Sequence, residues 1–185
     1  MKLQPWDDAC EMAQAAGQAA SGRGALRMMR TDAYLLILGF RLRQLVLRAR
    51  IPLLNRIVRL TQIALGGIEL GNDVSLVSGV YFIHSVGSVV GGTARVGARV
   101  RFMGNNTVGT ARDNGYPVIE DDVEVGCGAR ILGPIRVGAR AIIGANAVVL
   151  SDVPPDCVAV GAPARIVRRQ QAAVGPLRAA YGGSR

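Results

Sequence analysis

The chain has 185 residues, enough for one domain with a real core and a small appendage. Half of it is hydrophobic but only 4% is aromatic, and there are 24 glycines, which suits short aliphatic side chains and many tight turns. The formal charge of +9 admits an anionic partner, but the arginines are spread along the chain without interleaved aromatics, so nucleic acid is not expected.

The three cysteines, Cys10, Cys127 and Cys157, form no CxxC pair and no metal-ligand spacing. Such a set reads as reduced thiols and a cytoplasmic location. No apolar run is long enough to span a bilayer. The start of the chain lacks a signal-peptide core, because Trp6, Asp7 and Asp8 break the pattern.

Residues 1–68 are predicted to be helical. The alanine-rich "DDACEMAQAAGQAA" comes first and "SGRG" at 21–24 interrupts it. The next helix has Thr31 as N-cap and Asp32 in its first turn. Pro52 opens another, which ends at Gly66-Gly67. Leu53, Ile57, Leu60 and Ile63 fall on one face of it at helical spacing. Arg41, Arg43, Arg48, Arg50, Arg56 and Arg59 line these helices. The expectation is a solvated face, with membrane-surface contact as the less favoured alternative.

From residue 70 the period changes to six. Leu70, Leu76 and Phe82 are followed, after a two-residue slip, by Val90, Val96, Phe102 and Val108. After an eleven-residue step come Ile119, Val125, Ile131, Val137, Ile143 and Val149. Glycine follows many of these positions, as at Gly71, Gly91, Gly97, Gly109, Gly126, Gly138 and Gly144, and is expected to serve turns that need unusual φ/ψ. A hexapeptide repeat of this kind predicts a coil of short parallel strands whose aliphatic side chains stack into one column.

In "GVYFIHSVGSVVGGTARVGARV", in "PVIEDDVEVGCGARILGPIRVGARAIIGANAVVLSDVPPDCVAVGAPARIV" and in its closing "GAPARIV", the sequence resembles the left-handed parallel β-helix acyltransferases. It is most similar to their serine acetyltransferase group and to short capsule and exopolysaccharide enzymes. The resemblance implies a mainly β chain. Residues 1–68 form a helical N-terminal segment, 69–168 the β-helix acyltransferase domain, and 169–185 a basic tail. It implies acetyl transfer from acetyl-CoA to a hydroxyl, no metal, and a homotrimer. A loop, here "TARDNGYP", covers a site shared between chains.

His84 is the only histidine and lies where the register slips. Imidazole can take the proton of an attacking hydroxyl, and His84 matches the family's catalytic base. The orienting carboxylate, fifteen residues upstream, is Glu69 here. Metal ligation is disfavoured, since the β-helix carbonic anhydrases need three histidines. By the same resemblance, Gly109 and Thr110 match the glycine pair that faces the oxyanion. Cys127 and Ala145 match small residues along the CoA arm, and Arg165, Arg168 and Arg169 are placed by sequence to meet its phosphates.

Two departures concern the acceptor. The family's aspartate before the histidine is Ile83, and its loop histidine before proline is Tyr116. These favour a sugar or natural-product hydroxyl over L-serine, with Arg112, Asp113, Asn114 and Tyr116 as candidate contacts. Serine O-acetyltransferase, N-acetyl transfer to an amino sugar, and a catalytically silent trimeric scaffold are the alternatives.

Overall fold

The computed structural model describes residues 5–19 and 21–168. The basic tail, including Arg169, and the side chain of Arg168 lie outside the described residues. The helices are α1 (Pro5–Ala15), α2 (Gly22–Met28), α3 (Asp32–Arg48) and α4 (Pro52–Gly66). The Thr31 hydroxyl caps α3, accepting from the Tyr34 amide at 3.3 Å. Pro52 starts α4, and Gly67, at φ 60°, ends it in the left-handed conformation. "SGRG" does not interrupt a helix but starts one. The Ser21 hydroxyl accepts from the Gly24 amide at 3.2 Å and caps α2, because a small polar residue supplies the acceptor a helix start needs.

Five coils follow. The first holds β1 (Ile68–Leu70), β2 (Ser75–Leu76) and β3 (Tyr81–Phe82). The second holds β4 (Ser88–Val90), β5 (Arg95–Val96) and β6 (Arg101–Phe102), and the third β7 (Thr107–Gly109), β8 (Val118–Ile119) and β9 (Glu124–Val125). The fourth has β10 (Arg130–Leu132), β11 (Arg136–Val137) and β12 (Ile142–Ile143). The last has β13 (Val148–Val149) and β14 (Cys157–Val160), on which β15 (Arg165–Arg168) folds back antiparallel. Strands stack in three sheets with parallel register, Leu70 on Val90, Val90 on Val108 and Val108 on Ile131. This is a left-handed parallel β-helix, a three-sided prism behind an N-terminal helical segment. All thirteen repeat positions are at most 1% exposed, so the core is the stacked column that the period predicts.

The glycines after the repeat positions are there for a different reason from the one expected. Gly71, Gly97, Gly126, Gly138 and Gly144 do not adopt positive φ. They lack a side chain because the next coil passes too close. A Cβ on Gly126 would lie 2.5 Å from the Ala145 amide, and one on Gly138 2.4 Å from the Pro155 nitrogen. The left-handed corner positions are held largely by other residues. At one corner Arg99, Asp122, Arg140 and Asp156 take φ of 55°, 60°, 58° and 57° in successive coils. There Arg99 bonds Asp122 and Arg140 bonds Asp156, and Glu11 of α1 joins the base of the ladder through Arg99. The alternating charges offset the backbone strain of four non-glycine corners.

The helices close the open end of the prism. Amides of the first coil, such as those of Gly71, Ser75 and Val77, donate to the second coil. The carbonyls of the first coil therefore point away from the stack, with no coil beneath them. Arg41 and Arg43, expected on a solvated face, are buried there instead. Arg41 donates to the carbonyls of Leu76 at 2.6 Å and Val77 at 3.2 Å, while its other edge forks onto Asp8 of α1. Arg43 donates to the Leu70 carbonyl at 2.6 Å, to Asn72, and to Asn55 and Gln62 of α4. Burial, and then the positive charge of Arg59, push the Arg43 guanidinium below its ordinary value, with Glu69 pulling the other way. Replacing Arg43 by Met leaves the Leu70 carbonyl and the Asn72 side chain without that donor. The expected loss is about 3 kcal/mol, measured as a lower urea midpoint at unchanged slope. Arg56→Met, on the exposed side of α4, should shift it by less than about 0.5 kcal/mol.

Candidate active site

His84 stands at the corner between β3 and β4, on the coil with the extra residues. The residues 83–87 cross over the end of α4, where the Ser85 hydroxyl donates to the Gly66 carbonyl and the Gly87 amide to that of Gly67. Beneath it Phe82 stacks on Phe102 with ring centroids 4.8 Å apart. Gly104, at φ 127°, faces it from the next coil; a Cβ there would lie 3.0 Å from the Cβ of His84. The imidazole is exposed and, among the described residues, makes no side-chain hydrogen bond.

The register of the third sheet carries this corner upward. Phe82, Phe102, Val125, Ile143 and Ala159 are consecutive partners. Two residues beyond each stand His84, Gly104, Cys127, Ala145 and Gly161. The structure thus brings His84, Cys127 and Ala145 into one exposed column, three strand spacings tall, roughly 14 Å. Arg165, also exposed, pairs across β14 with Val160, at the top of the same column.

Asn106, which the sequence reading missed, holds this corner together. It is 1% exposed, accepts from the Gly104 amide at 3.0 Å and donates to the Gly126 carbonyl at 2.7 Å. The signal was a polar residue two places before Val108, where a small or apolar one would have been unremarkable.

Glu69 lies on the outer side of β1, opposite Val89 of β4. Its carboxylate accepts from the Arg59 guanidinium of α4, not from His84. Arg59, another residue of the expected solvated face, is thus the partner of the candidate orienter.

The remaining candidates sit at the other edge of the same sheet. Gly109 ends β7 and Thr110 lies one residue past it. The Thr110 hydroxyl is buried with no hydrogen-bond partner among the described residues. Arg112 and Asp113 are exposed on the bend that follows, where the Asn114 side chain accepts from the Arg112 amide at 3.4 Å. Tyr116 is spent on packing: its ring fills the space over Gly92, where a Cβ would come within 2.0 Å of it. Between this edge and the His84 corner runs a three-residue strand, about 10 Å of extended chain. Within one chain, then, His84 and the Gly109–Thr110 amides do not meet around a single carbonyl. Ile83 is half-buried, its amide donating to the Phe102 carbonyl at 2.8 Å. Among the described residues no group of three or more His, Cys, Asp or Glu could hold a metal ion.

Residues 116–151 match the family described as bacterial transferase hexapeptide (six repeats). The serine acetyltransferase of Synechococcus elongatus is 37% identical over 131 residues, covering 69% of this chain and 54% of its own length. A soybean serine acetyltransferase, solved with serine, superposes with TM-score 0.76 at 32% identity, covering 86% of this chain and 68% of that one. The chain belongs to the hexapeptide-repeat transferases. A serine acetyltransferase solved with CoA is similar to it as well, with TM-score 0.76 and 29% identity over 87% of this chain and 68% of that one. The chain spans about half the length of the curated relatives it matches.

Within this hexapeptide-repeat transferase the glycines of the site and of the frame behave differently. A Cβ on Gly109 would meet nothing nearer than 3.8 Å, whereas one on Gly126 would strike the next coil. Gly126→Ala is therefore expected to cost about 1–3 kcal/mol. Gly109→Ala should leave the melting temperature essentially unchanged, so that any effect it has on turnover reports on the site. Thermal melts of both variants beside the wild type check this.

Proposed function

We propose that the chain is an acetyl-CoA-dependent O-acetyltransferase whose acceptor is the hydroxyl of L-serine. The observation that carries the reading is the column of His84, Cys127 and Ala145 under Arg165, on a fold whose similar solved structures include complexes with CoA and with serine. A pantetheine arm lies along the small residues of that column, with its thioester near His84 and its phosphates toward Arg165. The sugar hydroxyl expected from Ile83 and Tyr116 finds no support among these relatives, and Tyr116 is engaged with Gly92.

In this reading His84 removes the serine hydroxyl proton as the oxygen attacks the thioester carbonyl. The tetrahedral oxyanion is met by the amides of Gly109 and Thr110. Collapse breaks the C–S bond, and the imidazolium returns its proton to the CoA thiolate. Because those amides lie across the sheet from His84, in this reading they come from a neighbouring copy, within the homotrimer that the family resemblance implies. That copy also brings Asp113 and Arg112, a carboxylate for the serine ammonium and a guanidinium for its carboxylate. Asp113 thereby stands in for the carboxylate that Ile83 lacks. The buried Thr110 hydroxyl is left for a substrate or cofactor atom.

Thiol release from acetyl-CoA tests this with L-serine, hydroxyl-bearing sugars and amino sugars as acceptors. Turnover with serine should fall by about 10²–10⁴ in His84→Ala, with the circular dichroism unchanged because the side chain is exposed. Silence on serine with His84-dependent turnover on a sugar would move the acceptor. Failure to use acetyl-CoA with any acceptor would leave only a scaffold. In the same assay Asp113→Asn should raise KM for serine at least tenfold with little change in KM for acetyl-CoA.

A further inference from the structure

A helix that covers a core turns its apolar stripe inward. α4 does the reverse. At about 100° per residue, Leu53, Ile57 and Leu60 occupy one narrow arc, and the opposite arc holds Asn55 and Gln62. The polar arc faces the protein, where both side chains accept from Arg43. The apolar arc faces out: Leu53 is 70% exposed, and no residue of α4 is buried. The surface continues onto α3 through a mostly apolar groove of about 610 Å³, lined by Leu35, Leu36, Ile57, Val58 and Leu65 with Asp32 at its rim.

The charge on this surface is mostly positive, with Asp32 at the rim of the groove as its exposed carboxylate. Between Asp32 and Glu69 there is no acidic residue, and there are six arginines. Arg41 and Arg43 are buried in the helix–coil junction and Arg59 is paired with Glu69. Arg50 and Arg56 are exposed beside the apolar stripe. A second copy docking like on like would set Arg50 and Arg56 of the two copies against one another, with Asp32 the one exposed carboxylate each brings to the groove. An anionic surface with an apolar interior complements both features.

We propose that α4, with the C-terminal end of α3, is a docking surface for an anionic lipid bilayer. With 15 residues α4 is about 22 Å long, too short to span a bilayer but long enough to lie in its interface. Its leucines and isoleucines enter the acyl boundary, and the arginines reach the headgroup phosphates.

Co-sedimentation of the full chain tests this, with vesicles of phosphatidylcholine alone and of phosphatidylcholine mixed with phosphatidylglycerol. Binding should be confined to the anionic vesicles and weaken with added salt. Arg50→Asn and Arg56→Gln should each lower the partition about fivefold, which corresponds to about 1 kcal/mol per arginine near the surface. Leu53→Asp with Leu60→Asp should abolish it while the circular dichroism stays that of the wild type, both side chains being exposed. Equal binding to both vesicle types, or none, would overturn the proposal. So would wild-type binding by the double leucine variant. Light scattering separates the other occupant. A wild-type assembly that shrinks in the leucine variant, with no vesicle binding, would assign the surface to another copy of the chain and overturn the lipid reading.

Discussion

The first coil of a β-helix has a row of carbonyls with nothing to bond, and the rest of this structure depends on how that row is satisfied. Every later coil receives amides from the one before it. The first receives guanidinium groups. Arg41 and Arg43 cover the carbonyls of Leu70, Leu76 and Val77, and in doing so they fix α1 through Asp8 and α4 through Asn55 and Gln62. A parallel stack left open at that end would template the addition of foreign strands. Here the cap also gives each buried guanidinium several acceptors, the condition under which such charge is tolerated.

The column was legible because the period of six comes from stacking itself. Each aliphatic residue must lie over the last, so the thirteen core positions can be read from spacing alone. The helix ends at Thr31 and Gly67 were equally legible, since caps are local chemistry. The role of the arginines was not. Arg41 and Arg43 look like Arg48 and Arg56 in the sequence, and only the position of the first coil tells a guanidinium under a row of carbonyls from one in water. The glycines show a similar ambiguity. Gly126 and Gly92 look alike in sequence, yet the first is required by the passing Ala145 backbone and the second by its own φ and the ring of Tyr116.

His84 could be singled out because it is the lone histidine and sits where the register breaks. What the sequence could not give was which candidates share an edge. Parallel register places Cys127 and Ala145 over His84 and sends Gly109, Thr110 and the 111–114 bend to the far side of the first sheet. Residues near one another in the repeat are thereby separated by a strand, while residues more than sixty positions apart share a corner. A site needing both groups cannot close within one prism. The regular core thus leaves chemistry to the outer faces and corners of the prism.

The cap and the candidate site are joined by one helix. The inner arc of α4 accepts hydrogen bonds from Arg43, and Arg59, on its flank, holds the carboxylate of Glu69 on the first strand. Arg43 responds electrostatically to both Arg59 and Glu69, so the three charges form one system at the junction of helix and coil. The loop that carries His84 rests on the last residues of the same helix through Ser85 and Gly87. Whatever covers the outward leucines of α4 therefore presses on an element that already touches the loop carrying His84 and the carboxylate of Glu69. A shift of that helix along its own axis would move Arg59 and the Gly66-Gly67 rest together. The polar arc that anchors α4, with Asn55 and Gln62 both bound to a buried guanidinium, is what resists such a shift.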